Sequence, residues 1–139
     1  MDFTQDRAWD TDFSLQSSRV KAIKFHNKTL TFKLDRIFRC FEGEEVECPG
    51  EFRFEECDLD LCRALIFNKT LGEGRFTGKA LSLREFMDVY GNAEFEIVTE
   101  GYFGNTTTYS GWLWDAEKAP VSAILYLWNC GDRIYRIAE

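Results

Sequence analysis

The sequence has few prolines, one histidine and no long apolar run, and each shortage excludes a class of protein. Its 139 residues include two prolines, Pro49 and Pro120, and no linker rich in proline, glycine or serine divides them. We therefore expect a single domain, because a second core would be unusually small at this length. No stretch approaches the ~20 apolar residues that a membrane-spanning helix needs.

Recognisable catalytic motifs are also absent from the sequence. It has no Gly-x-Ser-x-Gly elbow, no phosphate-binding glycine-rich loop and no His-Glu-x-x-His motif. A cysteine–histidine dyad would have to recruit the one histidine, His26, from far along the chain. We therefore predict no catalytic residues and no cofactor, while an enzyme that uses dispersed carboxylates or a cysteine nucleophile stays open.

The five cysteines form neither a disulfide pattern nor a zinc pattern. They are Cys40, Cys48, Cys57, Cys62 and Cys130. The odd count, and an N-terminus without the basic and apolar regions of a secretory signal, argue against a secreted disulfide framework. Only Cys57 and Cys62 have a spacing near that of zinc ligands, and a second such pair is missing. We predict no metal site, mostly buried thiols and a cytoplasmic location.

Acidic residues outnumber basic ones by 24 to 17, which gives a net charge of −7. This balance opposes binding to nucleic-acid phosphates and to anionic lipids, because both rely on clustered lysine and arginine. It favours solubility and fast association with a basic protein. We therefore expect neither nucleic acid nor membrane as a partner, and we expect a protein partner to be basic.

Two acidic segments interrupt the apolar pattern. Residues 42–50 read as an acidic loop. Residues 55–60 contain Glu55, Glu56, Asp58 and Asp60, but they lack the glycine and glutamate spacing of a calcium-binding EF-hand loop. We interpret this second segment as charges that protect a solvent-exposed strand edge from pairing.

Alternating apolar and polar residues predict β-strands along most of the chain. The segments are 20–26, 30–34, 37–41, 52–54, 64–67, 93–99, 107–114, 121–128 and 133–137, with a tight turn at 27–29. Residues 1–18 read as a flexible or loosely docked leader, followed by a single β-rich domain at 19–139. The predicted fold is mainly β (α+β): an antiparallel sandwich or partly open barrel of about nine to ten strands.

One short helix is predicted near residues 82–90. Ser82 is a favourable N-cap, and Glu85 completes a Ser-x-x-Glu capping box. Apolar residues then recur at helical spacing along one face, which must pack against a sheet. Gly91 is the expected left-handed stop after the last turn.

Three of the four tryptophans fall within seventeen residues near the C-terminus. Trp112 and Trp114 share one face of a predicted strand, and Tyr126 and Trp128 share one face of the next. If fully exposed, the three tryptophans would present roughly 450–750 Å² of apolar surface, against about 300–600 Å² for the largest patch of a typical monomer. We therefore expect most of them in the core and one or two at its edge.

The candidate binding residues are these aromatic side chains and the acids near them: Tyr102, Tyr109, Trp112, Trp114, Tyr126, Trp128, Glu94, Glu96 and Asp115. Tyrosine and tryptophan are enriched in binding hot spots. The first hypothesis is a protein-binding module, either adaptor-like or immunity- or inhibitor-like, that docks on a basic partner. The alternative is a β-barrel that binds a small molecule or carbohydrate, with Trp112, Trp114, Tyr126 and Trp128 lining its cavity.

Overall fold

A computed structural model describes residues 1–5, 12–68 and 77–138, without the side chain of Phe41. Part of the predicted leader, residues 6–11, lies outside this range. The described chain is mostly antiparallel β-structure with one α-helix, so the predicted fold class is confirmed. The elements are β1 (Asp2–Thr4), β2 (Phe13–Ser14), β3 (Arg19–His26), β4 (Thr29–Phe41), β5 (Glu44–Phe54), a 3₁₀ turn (Leu59–Leu61), β6 (Arg63–Phe67), β7 (Gly78–Ser82), α1 (Leu83–Val89), β8 (Glu94–Phe103), β9 (Thr106–Trp114), β10 (Val121–Trp128) and β11 (Arg133–Ile137).

The strands form one open sheet that curls until its two halves face each other across a core. The strand order is β1-β11-β5-β4-β3-β8-β9-β10-β6-β7, with β2 paired to β4, and every pair is antiparallel. Phe32 on β4 and Phe54 on β5 have ring centroids 6.0 and 6.4 Å from that of Tyr109 on β9. At least two strands separate these residues within the sheet, so the contacts join its opposite halves.

Strands β4 and β5 are longer than the sequence predicts. β4 is a single strand with a bulge between Leu34 and Ile37, where the sequence predicts two strands. β5 begins at Glu44, so the predicted loop at 42–50 shrinks to a two-residue turn of Glu42 and Gly43. Both turn residues have positive φ, which is the type I′ geometry that matches the twist of paired strands.

A close approach of β8 and β9 requires glycine at position 111. β8 has a bulge between Ile97 and Thr99, and Gly111 on β9 pairs with Ile97 beside it. A Cβ atom at Gly111 would overlap the carbonyl oxygen of Glu96. The missing side chain therefore allows the two strands to pair through the bulge, and it sets the register of the residues that follow, including Trp112.

The helix α1 begins where the capping box places it. Ser82 Oγ accepts the N–H of Glu85 at 3.1 Å, and the Glu85 carboxylate accepts the N–H of Ser82 at 3.5 Å. The predicted left-handed conformation of Gly91 is wrong, because its φ is not positive. The helix ends instead at Tyr90, whose N–H donates to the carbonyl of Phe86 at 2.8 Å. No helix among the described residues is long and apolar enough to cross a membrane.

Candidate functional site

The structure divides the nine candidate binding residues among several places. The interior of the curled sheet holds Tyr102 and Tyr109. Asp115 follows the end of β9. A groove at one end of the sheet contains Trp128. The outer face of the sheet carries the remaining five: Trp112, Trp114, Tyr126, Glu94 and Glu96.

Tyr102 and Tyr109 belong to a hydrogen-bond network inside the sheet. Their hydroxyl oxygens lie 3.0 Å apart, and Tyr102 donates to Glu100 at 2.7 Å. Glu100 also accepts the N–H of Leu15 at 3.0 Å, which ties the segment after β2 to β8. Burial raises the pKa of both tyrosine hydroxyls well above the usual value. Because these groups are satisfied within the fold, they stabilise it and present no binding surface.

Trp112 and Trp114 lie on the outer face of β9 and are half-buried. Tyr109 and Leu113 are buried on the same strand, and alternate residues of a strand point to opposite faces. The expectation that most of the tryptophans are core residues is therefore wrong for Trp112, Trp114 and Trp128, none of which belongs to the buried core. The area argument fails because neighbouring side chains cover part of each ring.

Charged side chains of β3 and β8 cover Trp114. Its indole N–H donates to Glu96 at 3.0 Å, and the Arg19 guanidinium lies 4.8 Å from the ring centroid. Arg19 contacts Glu94 at 3.2 Å and Glu96 at 3.4 Å. Lys21 contacts Glu94 at 2.9 Å. The hydrogen bond from Lys21, with Arg19 adding to it, lowers the pKa of Glu94. Both acids are thus neutralised by residues of the same chain.

Asp115 and Tyr126 are separate from this cluster. Asp115 pairs with Lys118 at 3.6 Å. Tyr126 lies opposite Thr108 and Arg63 in the sheet and is 38% exposed. The outer face therefore presents one accessible tyrosine, Tyr126, and a cluster in which Glu94 and Glu96 are already paired with Arg19 and Lys21.

An open groove of about 610 Å³ lies at one end of the sheet, and we call it the end groove. This volume is in the range of about 300–1,000 Å³ that is usual for ligand sites. Four parts of the chain build it: the β3–β4 turn, the segment between β5 and β6, the first turn of α1 and the end of β10. The lining residues are Phe25, Lys28, Glu56, Cys57, Asp58, Leu59, Asp60, Arg84, Trp128 and Cys130.

Hydrogen bonds hold the walls of the end groove in place. The buried Asn129 donates from its side-chain amide to the carbonyls of Glu55 and Gly131, each at 3.0 Å. The N–H of Cys57 donates to the carbonyl of Lys28 at 2.8 Å. These bonds fasten the segment after β5 to β10 on one side and to the β3–β4 turn on the other, so the groove is formed before any partner binds.

Carboxylates predominate among the charged groups of the end groove. Glu56, Asp58 and Asp60 are exposed, and none of them forms an ion pair with another residue that the structure describes. Lys28 and Arg84 are the two cations in the lining. The acids therefore outnumber the bases by three to two within a chain that is itself acidic.

The end groove also has an apolar component. Phe25 and Trp128 are half-buried, and Leu59 is buried. Lysine and arginine have an apolar stem and a charged end, so they can pack the stem on aromatic rings while the charge stays near carboxylates. The arrangement therefore suits a basic side chain from another molecule.

The interpretation of residues 55–60 as a protected strand edge is wrong. The segment is a loop followed by the 3₁₀ turn, and the next strand, β6, is paired on both sides. The sequence does carry a signal for this site, because the apolar residues Cys57 and Leu59 alternate with the acids Asp58 and Asp60. In the structure the two apolar residues are buried and the two acids are exposed. The sequence alone does not show that Trp128 lies beside these residues.

The described residues form no candidate metal site. Within residues 1–5, 12–68 and 77–138, no group of three or more histidine, cysteine, aspartate or glutamate side chains could hold a metal ion. The five cysteines are all thiols, and only Cys57 and Cys62 are buried, so the expectation of mostly buried thiols is wrong.

Comparisons with protein-family models, with curated protein sequences and with solved structures gave no match.

Proposed function

We propose that this protein is a protein-binding module, adaptor-like or immunity- or inhibitor-like, that docks on a basic partner through the end groove. One observation carries the proposal: the carboxylates of Glu56, Asp58 and Asp60 line the same groove as the rings of Phe25 and Trp128. None of the three carboxylates forms an ion pair with another described residue. A lysine or arginine of the partner would pack on the rings and place its charge at the carboxylates.

The charge of the whole molecule supports the same partner class. A net charge of −7 accelerates encounter with a basic protein, because the long-range field steers diffusion. Lys28 and Arg84 restrict what the groove accepts, since they repel a partner with several adjacent cations. The favoured epitope is therefore one basic side chain flanked by apolar or acidic residues.

The side-chain directions give no support to a barrel lined by tryptophan. Trp112 and Trp114 point away from the interior, and the rings of Phe32, Phe54 and Tyr109 pack together inside it. A small-molecule function would instead use a groove of the surface, such as the end groove. Neutral sugars and small apolar ligands are therefore titrated alongside the peptides.

Titration with blocked peptides tests the proposal. One peptide carries a single arginine flanked by leucines, and a second of the same length carries glutamate in place of the arginine. We expect the arginine peptide to bind and the double variant D58N/D60N to weaken its Kd about two- to tenfold, since an exposed ion pair contributes about 0.2–1 kcal/mol. Asparagine at position 58 keeps the cap of the 3₁₀ turn. Isothermal titration calorimetry at an ionic strength of about 0.15 M, where the Debye length is about 8 Å, gives the Kd.

The control variant E44Q/E45Q also removes two negative charges, but from the β4–β5 hairpin, which lies away from the end groove. It is expected to change the Kd less than about twofold, because screening limits distant charges. R84Q, which removes a cation from the groove, is expected to tighten binding. Equal losses in both double variants would contradict a local site. A response only to neutral sugars or apolar ligands would favour the alternative function.

We also infer a cytoplasmic location. It is supported by the five cysteines, because an odd count is unusual in a secreted disulfide framework. Alkylation of intact cells, followed by mass spectrometry of the protein, tests it. Recovery with Cys57 and Cys62 already joined would contradict the inference.

A further inference from the structure

Cys57 and Cys62 lie together at the base of the end groove. Their Sγ atoms are 3.7 Å apart, and both side chains are buried. Cys57 follows β5, and Cys62 is the C-cap of the 3₁₀ turn. The turn folds the chain back between them, so a five-residue separation in sequence becomes a direct contact. The contact between the two thiols is therefore produced by the turn, and not by their sequence spacing alone.

Cys62 has one backbone donor and one close carbonyl beside the Cys57 thiol. Its Sγ accepts the backbone N–H of Trp128 at 3.3 Å and lies 3.4 Å from the carbonyl oxygen of Asp58. The hydrogen bond with Cys57 lowers the pKa of Cys62, and the Trp128 N–H and the Arg63 guanidinium add to this effect, while burial and Asp58 act against it. The same hydrogen bond, together with burial, raises the pKa of Cys57. One sulfur is therefore suited to act as the nucleophile while the other keeps its proton.

Burial limits the reagents that can reach this pair. Cys62 is fully buried, and Cys57 is 4% exposed at the groove. Cys130 and Cys40 are exposed, so bulky thiol reagents meet those two first. Hydrogen peroxide is little larger than water, so a small movement of the groove lining at Cys57 is enough to admit it, whereas a bulky disulfide needs a larger opening.

We propose that Cys57 and Cys62 are a peroxide-reactive dithiol, a modification site whose co-reactant is hydrogen peroxide. The Cys62 thiolate attacks one peroxide oxygen, the O–O bond breaks, and hydroxide leaves and takes a proton from solvent to become water. This step gives a sulfenic acid at Cys62. The Cys57 sulfur then attacks the Cys62 sulfur, the S–O bond breaks, and the second water leaves with the Cys57 proton. Two thiols become one disulfide, and peroxide is reduced to two waters.

The geometry makes the second step short. A disulfide has an S–S length of about 2.05 Å, so the sulfurs must approach by about 1.7 Å from their present separation. The same movement displaces the sulfur that accepts the Trp128 backbone N–H, so we expect the tryptophan emission to change. This inference does not depend on the proposed partner, because the disulfide is detected on the isolated protein.

The test is made on the reduced wild-type chain. The folded protein is treated with hydrogen peroxide, the peroxide is removed, and the protein is then denatured, alkylated with N-ethylmaleimide and analysed by mass spectrometry before and after proteolysis. We expect the number of alkylated cysteines to fall from five to three, a cross-linked peptide pair that contains Cys57 and Cys62, and a change in tryptophan emission. Treatment with a reductant reverses all three. Oxidation confined to Cys40 or Cys130, or a disulfide that forms only in denaturant, would overturn the proposal.

Variants then assign the roles of the two sulfurs. C40S/C130S, which removes the exposed thiols, is expected to form the disulfide at the wild-type rate. C57S is expected to accumulate a sulfenic acid at Cys62, which dimedone traps when the protein is denatured in its presence, whereas C62S is expected to lose rapid oxidation. Circular dichroism checks that each variant is folded. If a variant does not fold, the peptide map of the wild-type protein still tests the proposal. Dimedone labelling of Cys57 in C62S at the wild-type rate would contradict the assignment.

Discussion

At the scale of single residues, the neighbours of each tryptophan decide which of them a partner can use. Trp114 is held by Glu96 at its indole N–H and by Arg19 over its ring. Trp128 is half-buried in the end groove, among carboxylates without ion pairs in the described part of the chain. Two chemically identical side chains on adjacent strands therefore differ in function: the first stabilises the outer face, and the second is available for binding.

The buried tyrosine pair makes stability sensitive to alkaline pH. The pKa of Tyr102 and Tyr109 is raised in the folded protein, while an unfolded tyrosine releases its proton near pH ~10. Their contribution to stability is thus fully present below about pH 10 and declines as the pH rises further. We expect Y109F to lose free energy of unfolding less steeply than wild type above this pH, by up to about 1.4 kcal/mol per pH unit.

Urea unfolding between about pH 8 and pH 11 measures this difference. Y126F is the matched control, because it removes an exposed hydroxyl, and we expect it to follow the wild-type profile. Parallel profiles for Y109F and wild type would contradict the role assigned to the buried pair.

At the scale of elements, the β3–β4 turn shows how local geometry supports the end groove. Asn27 and Lys28 have φ values of 48° and 61° between the paired residues His26 and Thr29. This is a type I′ turn, and the tight turn predicted at 27–29 is confirmed. Glycine adopts the left-handed region without the steric penalty that lysine has. We therefore expect K28G to raise the free energy of unfolding by about 0.5–1 kcal/mol.

The matched control is K33G, which removes the same charge from the interior of β4. Glycine within a strand destabilises, so this variant is expected to lower the free energy of unfolding by roughly 0.5–1 kcal/mol. Chemical denaturation of both variants at one pH gives the comparison. A loss of stability in K28G would show that the lysine side chain contributes more than the turn geometry.

Elements with strong local signals could be predicted, and weak or tertiary ones could not. The helix start was readable because the Ser82 capping box is a contact between near neighbours in sequence. The sequence does not predict β1, β2 and β7, since β1 and β2 have only three and two residues and β7 has only Ala80 and Leu81 as apolar residues. The end of the helix was misread because Gly91 resembles a left-handed stop, whereas Tyr90 ends the helix with a different geometry.

At the scale of the whole molecule, the curl of the sheet creates the candidate site. It brings Phe25, Arg84 and Trp128 next to the 56–60 segment, although these parts are distant in the sequence. Alternation along β10 predicts that Trp128 shares a face with Tyr126, but it does not say what lies opposite. The sequence therefore predicts the fold class and one residue of the groove, while the groove itself depends on long-range packing.

The position of binding on the molecule is the central claim, and the tryptophan indole resonances in an NMR spectrum of the isotope-labelled protein report it most directly. On addition of the arginine–leucine peptide, we predict shifts of the Trp128 indole N–H and of the backbone amides of Lys28 and Asp60, while the Trp114 indole, held by Glu96, stays in place. Shifts confined to Trp112 and Trp114, with the end groove unchanged, would contradict the account.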